Sequence, residues 1–130
     1  MHLYAYNRLM TSAEKHLKIF KCLSDETRFR IFRLLLEKGE LCVCEIEQAL
    51  DLPQYTISRG LKSLNDSGLA SKKKEGLWRL YSIPLKPDDF LKALFNFIRE
   101  SIPPEKKDLK RLDLRPDIRM EIYRCRSPKH

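Results

Sequence analysis

Apolar positions recur at helical spacing through most of this chain and are interrupted by glycine or proline at a few places. Leu17, Phe20 and Leu23 form a first short apolar face, and Ser24-Asp25 then supplies N-cap side chains for a second helix burying Ile31, Phe32, Leu35 and Leu36. Gly39 ends that helix. A third helix, from about Leu41 to Leu50, buries Val43, Ile46 and Leu50 and turns Glu45, Glu47 and Gln48 outward. Pro53 pushes Leu52 out of the α region and cannot continue a hydrogen-bond ladder, so the chain turns at Asp51-Leu52-Pro53. From Gln54 to Ser67, Ile57, Leu61 and Leu64 form a core stripe while Tyr55, Ser58, Arg59 and Lys62 form a polar one. Gly68 is placed to cap this fourth helix in the left-handed conformation. Leu69–Glu75 and Leu77–Ile83 then pair as a hairpin around Glu75-Gly76, closed by Pro84 and Pro87. Asp88-Asp89 opens a last helix through Phe90, Leu94, Phe97 and Ile98, and Ile102-Pro103-Pro104 ends it.

Charge narrows the partners. Lys and Arg number 26 against 18 Asp and Glu in 130 residues, a formal charge of +8 that favours a polyanion. No stretch has the continuous apolar length of a signal peptide or a membrane span, and no amphipathic segment pairs a large apolar face with a lysine-rich one, so the expectation is a cytoplasmic protein with no membrane partner. In a reducing compartment the four cysteines read as ligands or redox groups rather than a disulfide framework. With four glycines there is no phosphate-cradling loop, and no nucleophile, base and orienting acid form a motif; the chain is not expected to be an enzyme.

Two helices joined by a tight turn and followed by a basic hairpin predict a mainly α fold with a small β-hairpin wing, a winged helix-turn-helix. Gln54, Tyr55, Thr56, Ser58 and Arg59 occupy the first turns of the reading helix, and Arg59 is the candidate for two-pronged contact with a guanine edge. Lys62, Lys72, Lys73, Lys74 and Arg79 are candidates for phosphate contacts, which give affinity without sequence information.

The runs Leu23–Phe32, Glu40–Ile46 and Tyr55–Leu64, followed by Ser67-Gly68-Leu69, resemble in order the ArsR-type metal-responsive repressors, over about Leu17 to Ile98. The resemblance implies a homodimer, paired through its first and last core helices, that binds a palindromic double-stranded operator and releases it when an effector binds. Where the family pattern usually has histidine this chain has Gly60, at a cost in helix stability of about 1 kcal/mol relative to alanine. Cys42-Val43-Cys44 resembles the sensing motif of arsenic-responsive members, in which thiolates take arsenite, antimonite or another thiophilic ion as effector, with no cofactor required for DNA binding. On a regular helix, residues two apart point about 200° from each other, so the pair is expected to chelate only if the helix start unwinds. Some arsenic sensors carry a third thiol near Glu45-Ile46-Glu47; here Cys22 or Cys125 would have to supply it. The histidine-bearing site that other members build on the last core helix has no counterpart, since Pro87 to Ser101 contains no histidine, and His2, His16 and His130 lack companions at ligand spacing.

Residues 1–101 are therefore expected to form the DNA-binding and dimerisation domain, and 102–130 a basic extension, docked or partly mobile, in which Ile118, Met120 and Ile122 suggest a docking strand. Two other readings are a winged-helix regulator with no metal effector and a thiol redox switch joining Cys42 or Cys44 to Cys22 or Cys125.

Overall fold

The computed structural model describes residues 11–114. Six helices and three short strands follow one another as α1 (Ser12–Leu23), α2 (Glu26–Lys38), β1 (Glu40–Cys42), α3 (Val43–Leu50), α4 (Gln54–Asp66), β2 (Ser71–Glu75), β3 (Trp78–Ser82), α5 (Asp89–Ser101) and α6 (Lys106–Leu114). No helix among the described residues is long and apolar enough to cross a membrane.

The central helix is α2. Asp25 caps its start by accepting from the Arg28 N–H at 3.0 Å, and Gly39, at φ 86°, ends it by donating to the Leu35 carbonyl at 2.7 Å. Its residues 31–36 are all buried, Arg33 included, because α1, α3, α4, α5 and the sheet surround it. Ile31, Phe32, Leu34 and Leu35 meet Ile46 of α3 and Ile57, Leu61 and Leu64 of α4 in one core. Asp51 turns the chain from α3 to α4 at φ 55°, a left-handed position that aspartate tolerates. At the far end of α4, Gly68 at φ 83° and the Asn65 side chain, which donates to the Ala70 carbonyl at 2.9 Å, lead the chain into β2.

The sheet has the order β1-β3-β2, all antiparallel. Lys74 pairs with Arg79 and Lys72 with Tyr81 in the hairpin, while Cys42 of β1 pairs with Leu80 on the other side of β3. The hairpin turns at Gly76, at φ 60°.

Two apolar faces differ from the expected ones. In α1 the core takes Ile19 and Cys22, leaving Leu17 64% and Phe20 50% exposed; in α5 it takes Phe95 and Ile98, leaving Phe97 64% exposed. The outward stripes adjoin, since Phe90 of α5 stacks on His16 of α1 at 3.9 Å and meets Phe20 edge-on at 6.0 Å.

The glycine within α4 has a packing reason. A Cβ at Gly60 would lie 2.8 Å from Ile31 Cδ1, so α4 approaches α2 more closely than any side chain allows without Ile31 moving. Gly60→Leu is expected to lower stability by about 2 kcal/mol, because overpacking outweighs the gain of about 1 kcal/mol in helix propensity. An unchanged urea midpoint would refute this account of the glycine.

The first part of the extension is a helix that sequence reasoning did not mark. Leu109 and Leu112 of α6 pack on the core beside α3. Asp108, 1% exposed, receives two hydrogen bonds from Arg30, Nε–Oδ2 at 3.1 Å and Nη2–Oδ1 at 2.7 Å. Arg33 reaches the connecting segment through Nε to the Ile102 carbonyl at 2.6 Å. The suggested strand at Ile118–Ile122 lies outside the described residues.

Candidate nucleic-acid interface and thiol site

The polar stripe of α4 faces outward as its spacing predicts: Gln54, Tyr55, Ser58, Arg59 and Lys62 are exposed and Thr56 half-buried. Pro53 is the N-cap and makes no side-chain cap, so the first-turn amides of α4 meet no capping side chain. Arg59 is not a free guanidinium. Its Nη1 donates to the Tyr55 hydroxyl at 3.1 Å, and its Cζ lies 5.4 Å from the centre of the Tyr55 ring, which holds the arginine along the helix surface. Lys62 is bound to Asp66 at 2.9 Å, and this hydrogen bond holds the Asp66 carboxyl below its ordinary pKa.

On the wing the pleat divides the basic run. Lys73 faces the same way as Glu75 and forms ion pairs with Glu40 across β3 at 3.1 Å and with Glu75 at 3.2 Å. Hydrogen bonds to Glu40 and then Glu75 raise its pKa above the usual lysine value. Lys72, Lys74 and Arg79 are exposed on the opposite face and, among the described residues, form no ion pair. The three lysines are thus not equivalent: Lys73 braces the wing, and Lys72 and Lys74 join Arg79 as its open cationic surface.

The thiols occupy a geometry that the expected helix start at Leu41 had excluded. Glu40–Cys42 is strand, held by β3, and the helix begins at Val43. Cys42 is its N-cap, extended at φ −85° and ψ 161°, so Cys42 and Cys44 are not two positions of one helical turn. Their Cα atoms are 5.4 Å apart and the two sulfurs are joined in a disulfide. No unwinding is needed to bring them together. The pairing differs from the one the redox reading offered, since Cys42 is joined to Cys44 and neither is joined to Cys22. Glu45 accepts from the Cys42 N–H at 2.8 Å and so fastens the junction of strand and helix.

Cys42 is 1% exposed and Cys44 half-buried, and both line a cleft of about 670 Å³. Trp78 and Arg79 of the wing, Gln54 at the start of α4 and Arg111 of α6 line the same cleft. Arg111 in turn donates through Nη1 to the Ala49 and Leu50 carbonyls at 3.3 and 3.4 Å, the C-terminal end of α3. Sequence reasoning did not single out Trp78 or Arg111 for the site, and nothing local in the chain marks them; the tertiary packing of α6 and the wing brings them there.

Cys22 is elsewhere. It is buried on α1, bordering a separate hollow with Lys18 and Arg28, and it does not join the pair. Among the described residues no three His, Cys, Asp or Glu side chains form a group that could hold a metal ion. Cys125, the other proposed third donor and redox partner, lies outside the described residues, as do His2 and His130.

Comparison with known proteins agrees with this architecture. Residues 25–72 match the family model described as bacterial regulatory protein, arsR family. The arsenic resistance transcriptional regulator ArsR1 of Pseudomonas putida is 37% identical over 102 residues, covering 75% of this chain and 80% of that protein. HlyU from Vibrio cholerae shares the fold with a TM-score of 0.62 and 26% identity, over 72% of this chain and 97% of HlyU. A homodimeric winged helix-turn-helix DNA-binding domain from Mycobacterium bovis superimposes with a TM-score of 0.57 at 24% identity, over 77% of this chain and 85% of that domain. With reading helix, wing and a relative matched over most of its length all in accord, the chain belongs to the arsR family of bacterial regulatory proteins and is a winged-helix DNA-binding transcriptional regulator.

Proposed function

We propose that the protein is a dimeric repressor that grips operator DNA with α4 and the wing and releases it when a thiophilic ion bonds to Cys42 and Cys44. The observation that carries this reading is the convergence of the two sulfurs at the strand-to-helix junction, in a cleft bordered by the wing and by the first residue of the reading helix. Arsenite suits the pair when it is reduced. Each thiol gives its proton to one arsenic hydroxyl, water leaves, and a sulfur–arsenic bond forms in its place. An ion so held occupies space between α3, α4 and the wing, and these are the elements whose relative position sets the fit to DNA. The arsenic-resistance regulator of P. putida supports this effector class by its name. The exposed stripe of Leu17, Phe20 and Phe97, linked across α1 and α5 by Phe90, is an apolar surface suited to pairing with a second copy, and the M. bovis domain is a homodimer.

Within the DNA interface, Arg59 reads bases and the open cations of the wing meet phosphates. Tyr55 limits the conformations Arg59 loses on binding, so the arginine reaches the groove partly ordered. Arg59→Ala is expected to relax base preference at one position by about 1–3 kcal/mol, whereas Lys74→Ala weakens all duplexes alike and reduces the salt slope by about 1. Competition titrations with single-base operator variants separate the two behaviours, and equal effects on base preference would refute the assignment.

The reading as a whole is tested by fluorescence anisotropy of the reduced protein on a duplex selected from random sequences, titrated with arsenite, antimonite, cadmium and zinc. Release by the thiophilic ions is expected. Tight, sequence-specific binding that none of them disturbs would reject the sensor and retain the DNA-binding regulator.

A further inference from the structure

Helix α6 carries a surface that neither the reading helix nor the wing accounts for. Helix α6 is docked on the domain by specific contacts. Asp108 is locked to Arg30, Leu109 and Leu112 enter the core, and Arg111 holds the end of α3. Docking also sorts the charges. The two acids of the helix turn to basic residues of α2, Asp108 to Arg30 at 2.7 Å and Asp113 to Lys38 at 3.9 Å. Lys106, Lys107 and Lys110 are exposed, and none forms an ion pair among the described residues.

The position of that basic surface follows from helical spacing. Lys107 lies one turn before both Lys110 and Arg111, at i+3 and i+4, and so sits between them on one side of α6. Through Arg111 the basic side of α6 borders the cleft whose other walls include Arg79 of the wing and Gln54 at the start of the reading helix. A docked helix also presents its lysines on a rigid frame, which reduces the entropy lost when they are fixed against a partner.

We propose that α6 is a third DNA-contacting element, in which Lys107 and Lys110 meet backbone phosphates next to the stretch held by the wing. The inference rests on the DNA-binding reading above and extends its interface beyond the winged helix itself. The contacts add affinity and orientation but no base preference.

The test compares the full chain with a Lys107→Gln/Lys110→Gln variant on the same selected duplex, by anisotropy across a series of salt concentrations. Both positions are exposed and Asp108, Leu112 and Arg111 are untouched, so the melting temperature is expected to be unchanged. The variant is expected to bind roughly three- to tenfold more weakly at low salt, with the slope of log K against log salt smaller by about 1.8 per bound protomer and base preference unaltered. Lys107→Arg/Lys110→Arg should restore the parent slope. A control, Lys15→Gln/Lys92→Gln, removes the same charge from α1 and α5. The proposal is overturned if the α6 variant keeps the parent slope, which would leave that face to solvent or to an acidic protein partner, or if the control loses as much slope. A parent chain that bound no duplex would instead overturn the DNA-binding reading on which the proposal stands.

Discussion

Asp108→Ala is expected to destabilise the protein by about 3 kcal/mol, a large part of the 5–15 kcal/mol that holds a domain folded. The Asp108 side chain is 2% exposed and that of Arg30 13%, so removing the carboxylate strands a guanidinium almost cut off from water. Those hydrogen bonds already raise the pKa of Arg30 above its ordinary value, and the arginine cannot escape by losing its proton. Its remaining contact, to the Leu50 carbonyl at 3.5 Å, is too long to replace two short charge-assisted bonds. The small opening to solvent around Arg30 argues for the lower end of the range for broken buried pairs. Much of the loss is expected to be local: α6 undocks, and amide protection falls at 106–114 before the core is affected. Urea denaturation and hydrogen exchange read the two effects separately. Replacing both partners, Arg30→Met with Asp108→Leu, should recover most of the stability, because the cost arises from an uncompensated charge rather than from the absence of an ion pair. A midpoint change worth less than about 1 kcal/mol for Asp108→Ala, with α6 still protected, would show that the ion pair does not dock the helix.

The parts of the molecule legible from sequence are those specified by local pattern. The amphipathic stripe of Ile57, Leu61 and Leu64, the turn before Pro53 and the glycine after Ser67 together define α4, and each acts over a few residues. What was not legible depends on partners distant in the chain. Glu40–Cys42 carries no strand signal of its own; it is extended because β3, some forty residues later, offers a free edge. That shift of two residues in the start of α3 alters the thiol geometry from opposed to convergent. In α1 the spacing of Leu17, Phe20 and Leu23 identifies an apolar face but not what covers it, and Ile19 and Cys22 take the core instead. Gly60 is intelligible only with Ile31, 29 positions earlier, placed against it. Helix α6 is not marked in the sequence because it is held as much by Arg30 and Arg111 as by Leu109 and Leu112, and charged residues in sequence read as solvated surface.

Cys44→Ser is expected to leave DNA affinity within about twofold of the parent while weakening the response to arsenite by a factor on the order of 10² or more, since closing the second bond of a chelate is an intramolecular event and that advantage disappears with one donor. Serine is nearly isosteric, but its hydroxyl is a hard donor that does not replace a thiolate on a soft ion. Cys44 is the more informative position of the two. Cys42 is the N-cap of α3, where serine is a better capping residue than cysteine, and Cys42→Ser would change the stability of α3 along with its chemistry. Cys22→Ala provides the matching comparison: because Cys22 lies apart from the pair, release by arsenite should persist. Oxidation of the parent should mimic Cys44→Ser, since a disulfide leaves neither sulfur with a thiolate to offer, and a reductant should restore the response. Anisotropy titrations with arsenite on a preformed DNA complex measure all four cases. If Cys44→Ser releases DNA at the same arsenite concentration as the parent, the pair is not the sensor. If Cys22→Ala loses the response while remaining folded and DNA-bound, the sensing site extends to α1 and the motion that couples it to the reading helix must pass through α2.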